Sequence, residues 1–260
     1  MNFYTHFPVF SIALTAAIIG AFLVVVIRKW VALHLLTSHH EVAFPIFLQL
    51  GVIYGVLSAF ILSIVLNHLG ESYRDVKIET TNLLTLAQLA PGFSEETQRK
   101  IDDTLIKYTK TVISQEWPKM QHRQEDAEVS KILGALQKIY LNIDIKTPRE
   151  AAIYANSLEH LGQLRENRRL RIFAATQPEL TYPALMLSMM GLIVIGVSYF
   201  FGMHRVWAQM ILTGALIFTL VAISALILTL SNPFAGKFAI TTRIFENTLA
   251  RLEEISQGRY

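Results

Sequence analysis

Residues 44–66 read FPIFLQLGVIYGVLSAFILSIVL, an uninterrupted run with no Asp, Glu, Lys, Arg or His. As a helix rising about 1.5 Å per residue, such a run covers the roughly 30 Å of a bilayer's hydrocarbon core. Working outward, Val9–Ile27, Pro183–Phe201 and Val206–Leu230 are equally free of Asp, Glu, Lys and Arg. The whole chain of 260 residues is 52% hydrophobic and only 17% charged, where soluble domains carry about 25% charged residues. An ordinary soluble enzyme is excluded. The expected fold is an all-α integral membrane protein, with four transmembrane helices and a helical insert between the second and third. The corresponding divisions are a first helix pair at 1–67, a helical domain at 68–181, a second pair at 182–231 and a tail at 232–260. With no cysteine in the chain, disulfides, thiolate metal sites and cysteine nucleophiles are excluded. A net charge of +3 is no nucleic-acid signature.

The first apolar run is not read as a cleaved signal peptide. Met1–Pro8 holds no Lys or Arg, and Arg28-Lys29-Trp30 has the character of an interfacial anchor. In the insert, residues 71–90 lack Gly and Pro and continue the second span as helix until Pro91-Gly92. Ser94 offers an N-cap, followed by Glu95 and Glu96 at the positive end of the helix dipole. The helix beyond aligns Ile101, Leu105, Tyr108 and Val112 and is expected to end at Pro118. A third helix carries Val129, Ile132, Leu133, Leu136 and Ile139. Thr147-Pro148-Arg149-Glu150 then reads as N-cap, N1 proline and capping-box Glu, opening a helix that runs to about Thr176. Gly202-Met203-His204-Arg205 reads as a tight turn between the last two spans.

Lys and Arg counts near the span ends set the expected orientation. Arg74, Lys77, Arg165, Arg168, Arg169, Arg171, Lys237, Arg243 and Arg251 fall on the side shared by both termini; Arg28, Lys29 and Arg205 fall opposite. Termini and insert are therefore placed in the cytoplasm, with the spans in a bacterial inner membrane.

No span carries an ionisable residue, which disfavours coupled transport. A passive pore is still open, since pores can be built from neutral polar groups and hydrophobic constrictions. On the second span, Gly51, Gly55 and Ala59 make a small-residue stripe for close helix packing. The opposite face gathers Gln49, Ile53, Val56, Phe60, Ser63 and Asn67. Two readings fit that face. It is either a pore wall, with a gate of Ile53, Val56 and Phe60 between polar rings of Gln49, Ser63 and Asn67, or a lipid-facing surface whose ends reach the headgroups. Arg165, Arg168, Arg169 and Arg171 could attract anions or anionic lipid headgroups, or merely fix topology. His39-His40-Glu41, with His34, reads as a wet loop before it reads as a metal site, because adjacent histidines do not readily face one ion. No metal or cofactor is expected. No P-loop, GxSxG or HExxH motif is present, so enzymatic activity is not expected.

Three stretches together resemble the bestrophin-like proteins of unknown function. They are Tyr108 through Val112 to Glu116-Trp117-Pro118; Arg165–Arg171 leading to Pro178 and Pro183; and Leu230-Ser231-Asn232-Pro233-Phe234-Ala235-Gly236. Ser231 stands where that family usually has Asp. The likeness of that family to bestrophins implies a pentameric anion channel whose pore is lined by the second span. The partners it implies are further copies of the chain, inorganic ions and membrane lipid. The competing class is a membrane-anchored scaffold whose cytoplasmic helices bind a partner, followed by a coupled transporter.

Overall fold

A computed structural model of the chain describes residues 8–30, 40–176, 180–203 and 205–258. Among these residues the structure is helical, with no strand. The principal helices are α1 (Pro8–Trp30), α2 (His40–Leu89), α3 (Glu95–Thr111), α4 (Trp117–Gln121), α5 (Ala127–Leu141), α6 (Pro148–Thr176), α7 (Thr181–Ser198), α8 (Val206–Leu230) and α9 (Arg243–Ser256). Among the described residues, four helical stretches are long and apolar enough to cross a membrane. The chain divides into two compact units, one formed by 1–67 with 178–231, the other by 68–177 with 232–260. The tail after residue 231 belongs to the second unit.

In the first unit α1 packs along α8, and α7 also packs on α8. The α1–α8 contact is built from small residues. Ala13, Ala17, Gly20 and Val24 are buried on one face of α1. A Cβ on Gly20 would collide with Ile217 Cδ1, and one on Gly214 would meet Ala21 Cβ at 3.5 Å. Close backbone approach of this kind drives helix association where water supplies no hydrophobic force. Tyr199 adds a hydrogen bond from its hydroxyl to the Gly20 carbonyl at 3.0 Å. The small stripe of the second span plays no such part within the chain: a Cβ at Gly51 or Gly55 would meet nothing within 4 Å. The membrane part of α2 docks instead through Tyr54, whose hydroxyl bonds the Leu220 carbonyl at 3.1 Å and Ser224 Oγ at 2.9 Å. Gly191 leaves room for the Tyr54 ring, which a Cβ there would meet at 3.2 Å.

The second unit begins where α2 becomes amphipathic. Val76, Leu83, Leu86 and Ala90 face a core shared with Ile101, Leu105 and Tyr108 of α3, Val129 and Leu136 of α5, and Leu161 and Leu164 of α6. The anticipated caps form. Thr97 N–H donates to Ser94 Oγ at 3.3 Å. Glu150 N–H donates to Thr147 Oγ1 at 3.1 Å, and Glu150 Oε2 accepts from the Thr147 and Lys146 N–H groups at 3.3 and 2.7 Å. Pro118 does not end its helix. A π-helical turn over Val112–Glu116 precedes it, with Trp117 N–H donating to the Val112 carbonyl, and α4 continues to Gln121. Proline lacks a donor and crowds the carbonyl four residues back, and one inserted residue absorbs both defects. Glu116, at the end of this turn, is fully buried. In the tail, Ile240 N–H donates to the Pro233 carbonyl at 2.8 Å, and Gly236 takes a positive φ of 95° that side chains resist. Phe234 and α9 then close over the core, with Phe245, Leu252 and Ile255 buried.

Candidate functional site

Two groups of residues concentrate the chemistry, one in each unit. In the first unit, α2 buries Tyr54, Ser58 and Val65 against its own chain. Ile53, Val56 and Phe60 are 40%, 65% and 64% exposed, and Gln49, Ser63 and Asn67 are exposed with them. At about 100° per residue these six residues lie roughly half a turn from the Tyr54–Ser58–Val65 edge. Gly51, Gly55 and Ala59 are also exposed and lie between the packed edge and the bare stripe. Tyr54 carries the hydrogen bonds from this span to α8, while Ser58 donates to the Tyr54 carbonyl of its own helix.

The second unit buries an ion-pair cluster. Arg171 and Glu79 are fully buried; Arg171 Nε donates to Glu79 Oε2 at 2.7 Å and Nη2 to Glu79 Oε1 at 3.0 Å. Arg171 Nη2 also donates to Glu116 Oε2 at 2.7 Å. Arg168 Nη2 reaches Glu116 Oε1 at 2.6 Å and the Asp126 carbonyl at 3.2 Å. Tyr108 donates its hydroxyl to Glu79 Oε1 at 2.6 Å. Aromatic rings wall the charges in, with the Arg171 guanidinium 5.7 Å from the centre of Trp117 and 5.4 Å from that of Phe245. Trp117 in turn meets Phe234 edge-on at 5.5 Å.

Two arginines against two glutamates leave this cluster neutral, as a buried array must be to survive desolvation. Burial acts to lower the Arg171 pKa, but Glu79 and Glu116 override it and hold the guanidinium charged well above its ordinary range. Burial, with the Glu79 carboxylate beside it, keeps the Tyr108 hydroxyl protonated far above the ordinary tyrosine range. The cluster is built to stay fixed. Each carboxylate oxygen of Glu79 and Glu116 accepts at least one hydrogen bond.

The four arginines expected to act together are thus divided. Arg168 and Arg171 point into the protein and are paired with carboxylates. Arg165 and Arg169 are exposed, the first bonded to Gln137 and the second paired with Glu166 at 2.8 Å. The sequence reading gave Glu79 no role and named Glu116 only within a stretch that carries a family resemblance. No group of three potential metal ligands comes together among the described residues. The His34, His39, His40 and Glu41 side chains lie outside the described residues.

A further buried acid, Asp102 on α3, has no ion pair among the described residues, and its Oδ1 is buried without a hydrogen-bond partner there. Burial pushes the Asp102 carboxyl up to about 6, with Asp103 adding to it and a hydrogen bond from Gln98 opposing it. A carboxyl raised above its unfolded value of 3.8 destabilises the fold above pH about 6, and the penalty fades as pH falls toward the unfolded value. Asp102→Asn should therefore stabilise the unit at pH 7.5 by about 1 kcal/mol, allowing for solvent screening. Its advantage in melting temperature should shrink toward pH 4; an advantage that is constant across that range contradicts this origin.

Comparison with known proteins follows the same lines. A Bestrophin-like domain model matches residues 14–245. A crystal structure of a bacterial bestrophin homologue from Klebsiella pneumoniae matches with a TM-score of 0.72 at 13% identity, covering 96% of this chain and 99% of that chain. A second variant of that homologue gives 0.70 at 13% identity, covering 95% and 98%. A further membrane-protein crystal structure gives 0.72 at 14% identity, covering 96% and 98%. At such identities the likeness speaks for the fold. No curated protein matches the sequence. The chain, a multi-pass membrane protein by its spans and its domain match, belongs to the bestrophin-like family.

Proposed function

We propose that the chain assembles as a homo-oligomer around an axis lined by α2 and conducts ions passively, anions in preference to cations. The observation that carries this reading is the bare stripe of α2, turned about half a turn from the edge that packs on its own subunit. Its bulky middle, Ile53, Val56 and Phe60, would form a constriction that gates by excluding water, with Gln49, Ser63 and Asn67 as polar rings on either side. Gly51, Gly55 and Ala59, with open space above the two glycines, would seat a neighbouring copy. The resemblance to bestrophins argues for five copies. Arg165 and Arg169 would add positive charge for anions, and Arg168 and Arg171 would hold the helical unit together. The distribution of Lys and Arg supports a bacterial inner-membrane location, with termini and helical unit in the cytoplasm. Membrane lipid would cover outward residues such as Ile19 and Phe22 of α1.

The chain lacks cysteine, so single cysteines report without background. In chloride-flux assays on reconstituted protein, a charged thiol reagent should block Phe60→Cys and leave the parent unaffected. Met189→Cys on the exposed side of α7 serves as the lipid-facing control. Equal inertness of both variants moves the function to a scaffold role for the helical unit.

A further inference from the structure

The second unit contains an open cavity of about 540 Å³ between α5 and α6. Its lining includes Arg165, Arg168 and Arg169, and also Glu125, Glu166 and Ser130. Gly134 and Gly162 face it, each the single glycine of its helix. A Cβ on either would meet nothing within 4 Å. Packing within the chain therefore does not require glycine at these positions, and glycine weakens a helix interior relative to alanine. Both glycines, however, widen the same cavity.

The charges around the cavity come in separable pairs. Arg168 is nine-tenths buried and uses Nε and Nη2 on Glu116 and on the Asp126 carbonyl. Glu125 stands 3.7 Å from it. Arg169 and Glu166 form an exposed pair, of a kind that contributes little and is readily exchanged. Guanidinium groups suit phosphoryl oxygens, which accept two parallel hydrogen bonds. With Arg168 neutralised by Glu116, the remaining Arg165 and Arg169 balance Glu125 and Glu166. A simple anion would therefore leave two carboxylates facing it, whereas a ligand carrying both a phosphoryl group and an ammonium group would pair with all of them.

We infer that this cavity is a binding site for a phosphorylated amine, its phosphoryl group on Arg165 and Arg169 with Arg168 behind them, and its ammonium on Glu125 and Glu166. Its volume falls in the range of small-molecule sites. The site does not rest on the pore reading of α2. The same chemistry belongs to free phosphoethanolamine and to the headgroup of phosphatidylethanolamine.

The test is calorimetric titration of the full-length protein in a non-ionic, phosphate-free detergent, with phosphoethanolamine, inorganic phosphate and ethanolamine as separate probes. Phosphoethanolamine should bind at least tenfold more tightly than either fragment. Glu166→Gln should erase that preference over phosphate. Gly162→Met fills the cavity at an exposed helical position and should abolish binding while leaving the melting temperature equal or higher, so loss of binding cannot be put down to misfolding. Competition by short-chain phosphatidylethanolamine below the concentration of the free compound assigns the site to a lipid headgroup; absence of competition assigns it to the soluble compound, and both support the site. Phosphate binding as tightly as phosphoethanolamine, retention of binding in Gly162→Met, or no binding by any probe overturns it.

Discussion

Arg171→Met is expected to lower the melting temperature of the helical unit by about 10 °C or more, while Arg169→Met, two residues earlier, should change it little. The substitution removes a fully buried guanidinium that answers Glu79 and Glu116 at once. Both carboxylates stay behind at zero exposure. Breaking a buried pair from one side costs about 3–5 kcal/mol, because the surviving charge is left in a medium that cannot solvate it. In a unit of this size each kcal/mol moves the midpoint by a few degrees. Arg169 pairs with Glu166 in solvent, where a pair contributes about 0–1 kcal/mol. The cause is separable from lost packing volume, since methionine fills much of the same space. Adding Glu79→Gln to Arg171→Met removes the orphaned carboxylate, while Arg168 still answers Glu116, and should restore a large part of the loss. Trp117 lies against Arg171, so its fluorescence follows the transition locally. A drop of only a degree or two would mean that the cluster contributes little to stability.

Phe60→Ala should raise ion conductance by about tenfold or leave a pore that no longer closes. The Phe60 ring is 64% exposed and has no described hydrogen bond or ring contact within its own chain, so truncation opens no cavity in the subunit. In the assembled protein a ring of such side chains would narrow an apolar passage and expel water from it. Lowering that barrier by about 1.4 kcal/mol multiplies the rate tenfold. Ile53→Ala should act in the same direction with less effect, since Ile53 is smaller and less exposed. Unchanged flux in Phe60→Ala would remove this residue from the gate.

How much of this could be read from sequence depended on whether a side chain's surroundings are local. The four spans, the Ser94 cap, the Thr147–Glu150 capping box and the end of α2 at Pro91 depend on residues a few positions apart, and composition and spacing sufficed for them. The ion-pair cluster joins residues up to 92 positions apart, and a charged residue carries no local mark of which distant residue answers it. A signal was nonetheless present. On α6, Leu161, Leu164, Arg168, Arg171 and Ala175 are all buried and recur at three- and four-residue steps, so two arginines occupy the apolar stripe. Glu79 sits likewise in the series Val76, Leu83, Leu86 on α2. A charge inside an apolar stripe demands a partner of opposite sign. That rule would have paired Arg171 with Glu79. Glu116 extends the buried series Leu105, Tyr108, Val112 by a further four residues, so the same rule marks it. The small stripe Gly51, Gly55 and Ala59 shows the converse limit. Spacing identified a surface fit for close packing, but not whether its partner was a helix of the same chain.

The central claim, an anion pore lined by α2, is tested most directly by current from the purified oligomer in a planar bilayer under an asymmetric chloride-salt gradient. The account predicts a conductance that reverses near the chloride potential and grows in Phe60→Ala. Reversal at the cation potential would contradict anion selectivity, and silence from an intact oligomer carrying Phe60→Ala would contradict the pore itself.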